Sequence, residues 1–373
     1  MSRYRFELAT PADDDELRSV LARTPMDGDM VVSFRREPSY FAAAVVAGPF
    51  RQTVVGRDSQ CGRIVGFGER SVRDCFVNGV PRPVGYLSSL RVLPEYRNLG
   101  LIARGYRFFR QLDEDRRTGL YLTTIAAGNE RALSMLTSGR AGLPPYHDAG
   151  NYLTLAVPAT HKATLQGNTN GRSVTIRSAT QDDLPSVLAF LSAEGPRRQF
   201  FPCYAAEDFF SSTGILRDLA AEDLLLAFRN GRLVGTLGVW DQRSFRQSVV
   251  ERYSTRLRWL RPWYNVQARL TGRPALPPTG EPLQYAVAAL PVVAADLPDV
   301  FASLLSAARQ QAAARSISHL LVGLHESDPL RSEVERHAVA RYVTRLYHVS
   351  WPEADDARAA QGSRTPYLEL GTL

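Results

Sequence analysis

Two stretches of this chain occur twice, in the same order and at nearly the same spacing. Glu16-Leu17-Arg18-Ser19-Val20-Leu21-Ala22 returns 167 positions later as Asp183-Leu184-Pro185-Ser186-Val187-Leu188-Ala189. Gly62-Arg63-Ile64-Val65-Gly66 returns 169 positions later as Gly231-Arg232-Leu233-Val234-Gly235. The chain therefore reads as a duplicated unit, and its 373 residues are more than one core comfortably fills. Each half opens with a strand and an Asp-rich helix start, Asp13 to Asp15 and then Asp182 and Asp183, where carboxylates meet the positive end of a helix.

In the first half the patterning predicts strand 3–9, helix 13–23, an irregular stretch and strand 51–57. A long hairpin, 63–77 and 82–93, turns at Asn78-Gly79. Helix 101–116, strand 120–126, helix 129–138 and strand 150–157 follow. The second half predicts strand 174–178, helix 181–193, strands 223–229, 232–240 and 283–290, then helix 296–314, strand 318–324 and helix 328–340. Strands near 342–351 and 366–370 close it. The expected fold class is α/β with a mixed sheet: two domains in tandem, each a mostly antiparallel twisted sheet flanked by helices. The domains span 1–157 and 174–373, with a Gly- and Asn-rich linker at 158–173 and an insert at about 241–282.

One run concentrates the chemistry. Strand 84–93 ends before Pro94; Arg97, Asn98, Leu99 and Gly100 make a loop; a helical pattern begins at Leu101 and Ile102. Strand, tight loop and helix start bring unpaired N–H groups and the helix dipole onto one anion. Gly100 lets a phosphate approach the backbone, and Arg97 adds fixed charge. A second apolar strand leads into Asn129-Glu130-Arg131-Ala132.

The Arg-x-x-Gly loop at Arg97 and Gly100, after a Val-x-Pro strand end, together with Asn-x-x-Ala at Asn129 and Ala132, resembles the acyl-CoA-binding core of the GNAT (Gcn5-related) N-acetyltransferase superfamily. The resemblance implies that Arg97, Asn98, Leu99, Gly100, Leu101 and Ile102 hold the pyrophosphate of acetyl-CoA or another acyl-CoA. It implies that Leu90, Arg91 and Val92 offer amides beside the pantetheine, and that Asn129 contacts that arm or orders the splayed strands. The implied activity is acyl-CoA-dependent N-acylation of an amine, by direct transfer in a ternary complex and without a metal. Ile102 stands where the family usually has Gly or Ala.

Two further features depart from the family. Its members often carry an acid on the central strand, which here reads Tyr86-Leu87-Ser88-Ser89-Leu90-Arg91, and a Tyr where this chain has Leu136. Glu69 on the neighbouring strand is the substitute base, with Tyr146 and His147 as substitute acid or water-relaying base. The other reading of these absences is a non-catalytic acyl-CoA-binding or scaffold protein. Pairing Tyr121 with His319 places positions 97, 100 and 129 on Ala295, Pro298 and Ser327. The second half thus lacks the Arg and Gly of the loop and is expected to shape the acceptor cleft or an interface.

The net charge of +7 invites a nucleic-acid partner, but Lys162 is the single lysine among 45 basic residues, so the arginine excess reads as coding bias. The strongest local signal is 241–273, with eight arginines against Asp241 and Glu251 and with Tyr253, Trp259, Trp263 and Tyr264 interleaved. Arginines interleaved with aromatics are what RNA binding uses, by stacking and phosphate contact, and an RNA-linked, aminoacyl-tRNA-type tandem GNAT is the corresponding alternative. The arginine bias favours instead an amphipathic interdomain helix with buried aromatics and wet arginines; an acidic-substrate or acyl-carrier site is the third option. Expected partners are a small-molecule or peptide amine, nucleic acid only through 241–273, no membrane, and a second copy as an open alternative. Cys61, Cys75 and Cys203 lack metal or redox spacing, and neither a leader nor a spanning apolar run is visible. A reduced, cytoplasmic protein is expected.

Overall fold

The computed structural model describes residues 3–161, 174–271, 275–351 and 362–373, with no side chains described at 269–271. The linker expected at 158–173 lies outside the described residues from 162 onward. The first half runs β1 (Tyr4–Leu8), α1 (Asp14–Arg23), β2 (Met30–Arg35), α2 (Tyr40–Ala44), β3 (Phe50–Asp58), β4 (Ile64–Val77) and β5 (Val80–Val92). It continues with α3 (Leu101–Asp113), β6 (Tyr121–Ala126), α4 (Glu130–Leu136) and β7 (Tyr146–Pro158). The second half runs β8 (Thr175–Ser178), α5 (Leu184–Glu194), β9 (Phe201–Pro202), β10 (Leu224–Arg229), β11 (Arg232–Trp240), β12 (Gln247–Tyr253) and α6 (Thr255–Thr271). Then come β13 (Tyr285–Val293), α7 (Pro298–Ala314), β14 (His319–His325), α8 (Arg331–Glu335) and β15 (Ala340–Val349).

The duplication is written into the sheet. Its order is β1-β3-β4-β5-β6-β15-β7-β14-β13-β11-β10-β8, which reads as the same series from either end. The two halves also trade strands. β15 lies between β6 and β7, while β7 lies between β15 and β14, so each half carries the other's last strand. The mixed sheet is therefore continuous across the expected boundary. Helices cover it in register with their apolar faces: α7 buries Val300, Phe301, Leu304 and Leu305 in the second half, and α3 buries Leu101, Tyr106 and Phe109 in the first.

Three expectations are corrected. The irregular stretch contains β2, a strand that sequence patterning passes over because its partner is β12, more than 200 residues away. The helix expected at 328–340 shortens to Arg331–Glu335, since β15 already begins at Ala340. The strand expected at 366–370 forms only a bridge at Pro366 and a single 3-10 turn, Leu370–Thr372.

What positions the site is the divergence of β5 and β6. These parallel strands pair only at Gly85↔Tyr121 and Tyr86↔Leu122. The contact is close because residue 85 has no side chain: a Cβ there would lie 2.2 Å from the Tyr121 ring. Beyond it the strands separate, and residues 87–92 of β5 keep β4 as their ladder partner on one side only. The same divergence recurs between β13 and β14, which pair only from Tyr285↔His319 to Val287↔Leu321.

Candidate active site

At the mouth of the β5–β6 divergence the chain makes the loop singled out by its sequence. Pro94–Tyr96 forms one 3-10 turn, and Gly100 then caps α3. Asn98 (φ 69°) and Gly100 (φ 66°) both adopt the left-handed conformation, which turns successive N–H groups to the same side. The amides of residues 98–103 donate to no acceptor among the described residues, the first being used again at Arg104, which bonds Gly100 O at 3.3 Å. Arg97, Asn98, Leu99 and Gly100 are exposed, and a Cβ on Gly100 would meet nothing within 4 Å. The bend is thus an open cup of main-chain donors on a helix N-terminus. It can hold a diphosphate.

The remaining cofactor candidates surround this cup unevenly. Ile102 turns inward to the cluster that holds Leu90 and Phe109, so its size does not crowd the loop. Leu101 is buried beneath it. Arg97 donates from Nε to Val92 O at 3.4 Å. Asn129 is engaged within its own helix start, where its Oδ1 accepts from Ala132 N at 3.1 Å and caps α4. The neighbouring Arg131, which sequence reasoning passed over amid so many arginines, bonds Asn98 and so ties the start of α4 to the loop.

Further along β5 the register with β4 slips between Phe67↔Arg91 and Glu69↔Ser88, leaving Ser89 at φ 54°. This bulge re-aims the backbone into the gap. Side chains then alternate across the sheet. Leu90 faces α3, beside a narrow apolar cavity of about 30 Å³ lined by Gly66, Gly68, Gly105, Tyr106 and Phe109 among others. Tyr106 on α3 and Tyr146 at the start of β7 hydrogen-bond through their hydroxyls on this face. Burial pushes both phenols up, Tyr106 to about 12 and Tyr146 well above the ordinary tyrosine value, so both keep their protons.

Glu69 faces the other side and is not a free strand carboxylate. It is 8% exposed and accepts from Arg36 Nη1 and Nη2 at 2.6 and 2.9 Å, from Tyr40 Oη at 2.7 Å and from Ser88 Oγ at 3.4 Å. Burial alone would raise its pKa, but the charge and hydrogen bonds of Arg36 overcome that and hold it at about 2. A carboxylate so firmly ionised is a poor proton acceptor, which corrects the expectation of Glu69 as base; it positions Arg36 and the bulge. Arg91 faces the same side. Its guanidinium makes no hydrogen bond or ion pair among the described residues, its Nε is buried, and burial followed by the charge of Arg36 lowers its pKa. Arg246 faces the same group of charges; burial first and Arg36 second bring it down to about 9. Arg91 was expected to contribute only its amide; its side chain is the unpaired cation of the cleft.

His147 is not brought to this place. On β7 it pairs with His348 of β15 and points to the opposite face from Tyr146. Of the three side chains expected to move protons, Tyr146 lies on the α3 side of the sheet, hydrogen-bonded to Tyr106, which lines the cavity beside Leu90.

The second half has the same frame with its features filled. β11 and β13 slip register in the same manner, and Leu290, the counterpart of Ser89, has φ 50°. Here the bulge amide already has an acceptor: Leu290 N donates to Glu369 Oε2 at 3.0 Å, and Tyr367 Oη donates to the same oxygen at 2.7 Å. The loop before α7 has Leu297 N bonded to Ala294 O and Pro298 with no N–H to offer. Asp296 in that loop is ion-paired to Arg198 at 2.6 Å. A loop short of donors and carrying a carboxylate is no receptor for a phosphate.

No protein-family model and no curated protein matches this sequence. Solved structures do match its fold. A crystal structure of a GCN5-related N-acetyltransferase from Sphaerobacter thermophilus aligns with a TM-score of 0.57 at 13% identity, covering 100% of this chain and 99% of that one. Saccharomyces cerevisiae N-myristoyltransferase with bound myristoyl-CoA aligns at 0.62 and 10% identity, covering 94% and 79%. The GCN5-related glucosamine N-acetyltransferase region of a fungal multi-domain GH3 β-N-acetylglucosaminidase aligns at 0.63 and 14% identity; 93% of this chain spans 38% of that protein. At these identities the likeness is one of fold, and the fold of this chain is that of the GCN5-related N-acetyltransferases.

Proposed function

We propose that this protein is an acyl-CoA-dependent N-acyltransferase, with the donor bound in the first half only. The observation that carries this reading is the cup of unpaired amides at 98–103, set at the head of the only bulged β5–β6 divergence that its own chain leaves open among the described residues. The pyrophosphate would rest on those amides with Arg97 beside it, and the pantetheine would run along residues 88–92 of β5. Glu369 in the second half illustrates what a bulge amide of this frame can hold, a carboxyl oxygen, which supports the amide of Ser89 or Leu90 as the group that polarises a thioester carbonyl. Tyr146, kept protonated beside Tyr106, would return a proton to the departing thiolate.

The finer assignments follow the same geometry. The acyl group would lie beside Leu90, where the apolar cavity is narrow, and a short acyl chain such as acetyl suits it. The unpaired Arg91, with Arg36 and Arg246 near it and Glu69 as the carboxylate among them, suits an amine acceptor that also carries a negative charge. The decisive experiment is calorimetry of CoA with the wild-type protein and with Arg97→Glu. We expect one CoA per chain, bound at least roughly tenfold more weakly by the variant. Equal affinity in both, or no binding in either, removes the reading.

A further inference from the structure

Helix α6 presents its apolar residues to water. Trp259 is 74% exposed and Trp263 78%, with Leu260 and Val266 about half exposed beside them. The spacing 259, 263, 266 makes one stripe along the outward face. The inward face is occupied: Ala268 is buried, Asn265 exchanges hydrogen bonds with the backbone of Leu276, and Arg261 donates to Leu276 O while stacking on Tyr253. The expectation of buried aromatics holds for Tyr253 and is overturned for Trp259, Trp263 and Tyr264, which are exposed alongside Arg256 and Arg258.

Charge says what the stripe meets. Between Glu251 and Glu281 the sequence has six arginines and no carboxylate. Arg256 and Arg258, exposed on α6, have no ion pair among the described residues, and Arg252 has only Asp27 at 3.3 Å. A second copy meeting this face about a twofold axis would set arginines against arginines. A single-stranded nucleic acid would use the tryptophans and arginines but leave Leu260 and Val266 wet, since aliphatic side chains do not stack on bases. Indole rings at a boundary, aliphatic groups between them and arginines at the flanks match a different partner, the headgroup layer of an anionic bilayer. We propose that α6 is a peripheral docking surface for anionic lipid. Surface attachment of this kind needs no spanning segment, so it is independent of the absence, among the described residues, of a helix long and apolar enough to cross a membrane.

The test uses the full chain and vesicles of phosphatidylcholine alone or mixed with phosphatidylserine. The protein has four tryptophans, of which Trp240 and Trp351 are buried, so a blue shift of emission on adding vesicles reports α6. We expect co-sedimentation and a blue shift with the mixed vesicles only. Trp259→Ala with Trp263→Ala should weaken binding at least about tenfold. Arg256→Gln with Arg258→Gln should weaken it about 25-fold, roughly fivefold per arginine. An unchanged circular-dichroism melt controls for folding in both variants. The proposal is overturned by absence of binding to mixed vesicles, or by tryptophan variants that bind as well as the parent. It is equally overturned if those variants instead dissociate an oligomer in sedimentation velocity, or lose binding to RNA rather than to lipid.

Discussion

Replacing Glu69 by Gln separates a base from a buried counter-ion. Glu69 and Arg36 form a nearly dry pair, their side chains 9% and 10% exposed, joined by two hydrogen bonds. Glu69→Gln keeps the shape and an oxygen for Tyr40 but leaves Arg36 uncompensated among Arg91 and Arg246. Breaking one side of a buried pair costs about 3–5 kcal/mol. Linkage gives an independent figure: lowering a carboxylate from its ordinary value to about 2 corresponds to about 3 kcal/mol at neutral pH. For a chain of this length such a loss lowers Tm by about 4 °C if it melts as one unit. The sign of the pH dependence follows from the lowered value. The wild-type stabilisation is complete above the ordinary carboxylate range and is lost as pH falls toward 2, so the gap between wild type and Glu69→Gln should close on acidification. Differential scanning calorimetry of both proteins from neutral to acid pH measures this. A variant that melts like wild type at neutral pH yet has lost acyl transfer would make Glu69 a proton acceptor and refute the reasoning.

Other outcomes follow from the same geometry. Tyr146→Phe should lower kcat by about 10²-fold or more with little change in the KM for acyl-CoA, because it removes a proton donor and no binding contact; steady-state kinetics with unchanged kcat would exclude that role. Arg91→Gln should reduce kcat/KM for acceptors that carry a carboxylate and spare their neutral amide analogues, and equal losses for both would contradict an anionic acceptor. Glu369→Gln should leave the CoA stoichiometry at one, since Leu290 N and Tyr367 Oη keep an oxygen acceptor; a second equivalent in titration calorimetry would mean that the second half also binds donor.

The parts legible in the sequence are those whose physics is local. The Asn78-Gly79 turn, the Asp-rich helix starts and the 97–102 bend depend on neighbours a few residues away, and all stand where the pattern placed them. The duplication was visible as well, because both copies must bury the same stripes. The site was half legible: a Gly before a helix start announces a donor loop, but nothing adjacent to Glu69 announces Arg36, 33 residues earlier, or distinguishes a paired carboxylate from a free one.

Tertiary structure decided what depends on distant partners. Each half lends its last strand to the other: β15 pairs with the edge of β6 that faces away from β5, and β7 with the edge of β14 that faces away from β13, pairings between residues too distant in sequence for local patterning to signal. β2 is a strand only because β12 exists. His147 and Tyr146 are adjacent in sequence, yet the two faces of one sheet send Tyr146 to Tyr106 on α3 and His147 to the opposite side. The aromatics of α6 read the same whether buried or bare; their exposure was settled by which face of the helix found Leu276, a choice that periodicity leaves free.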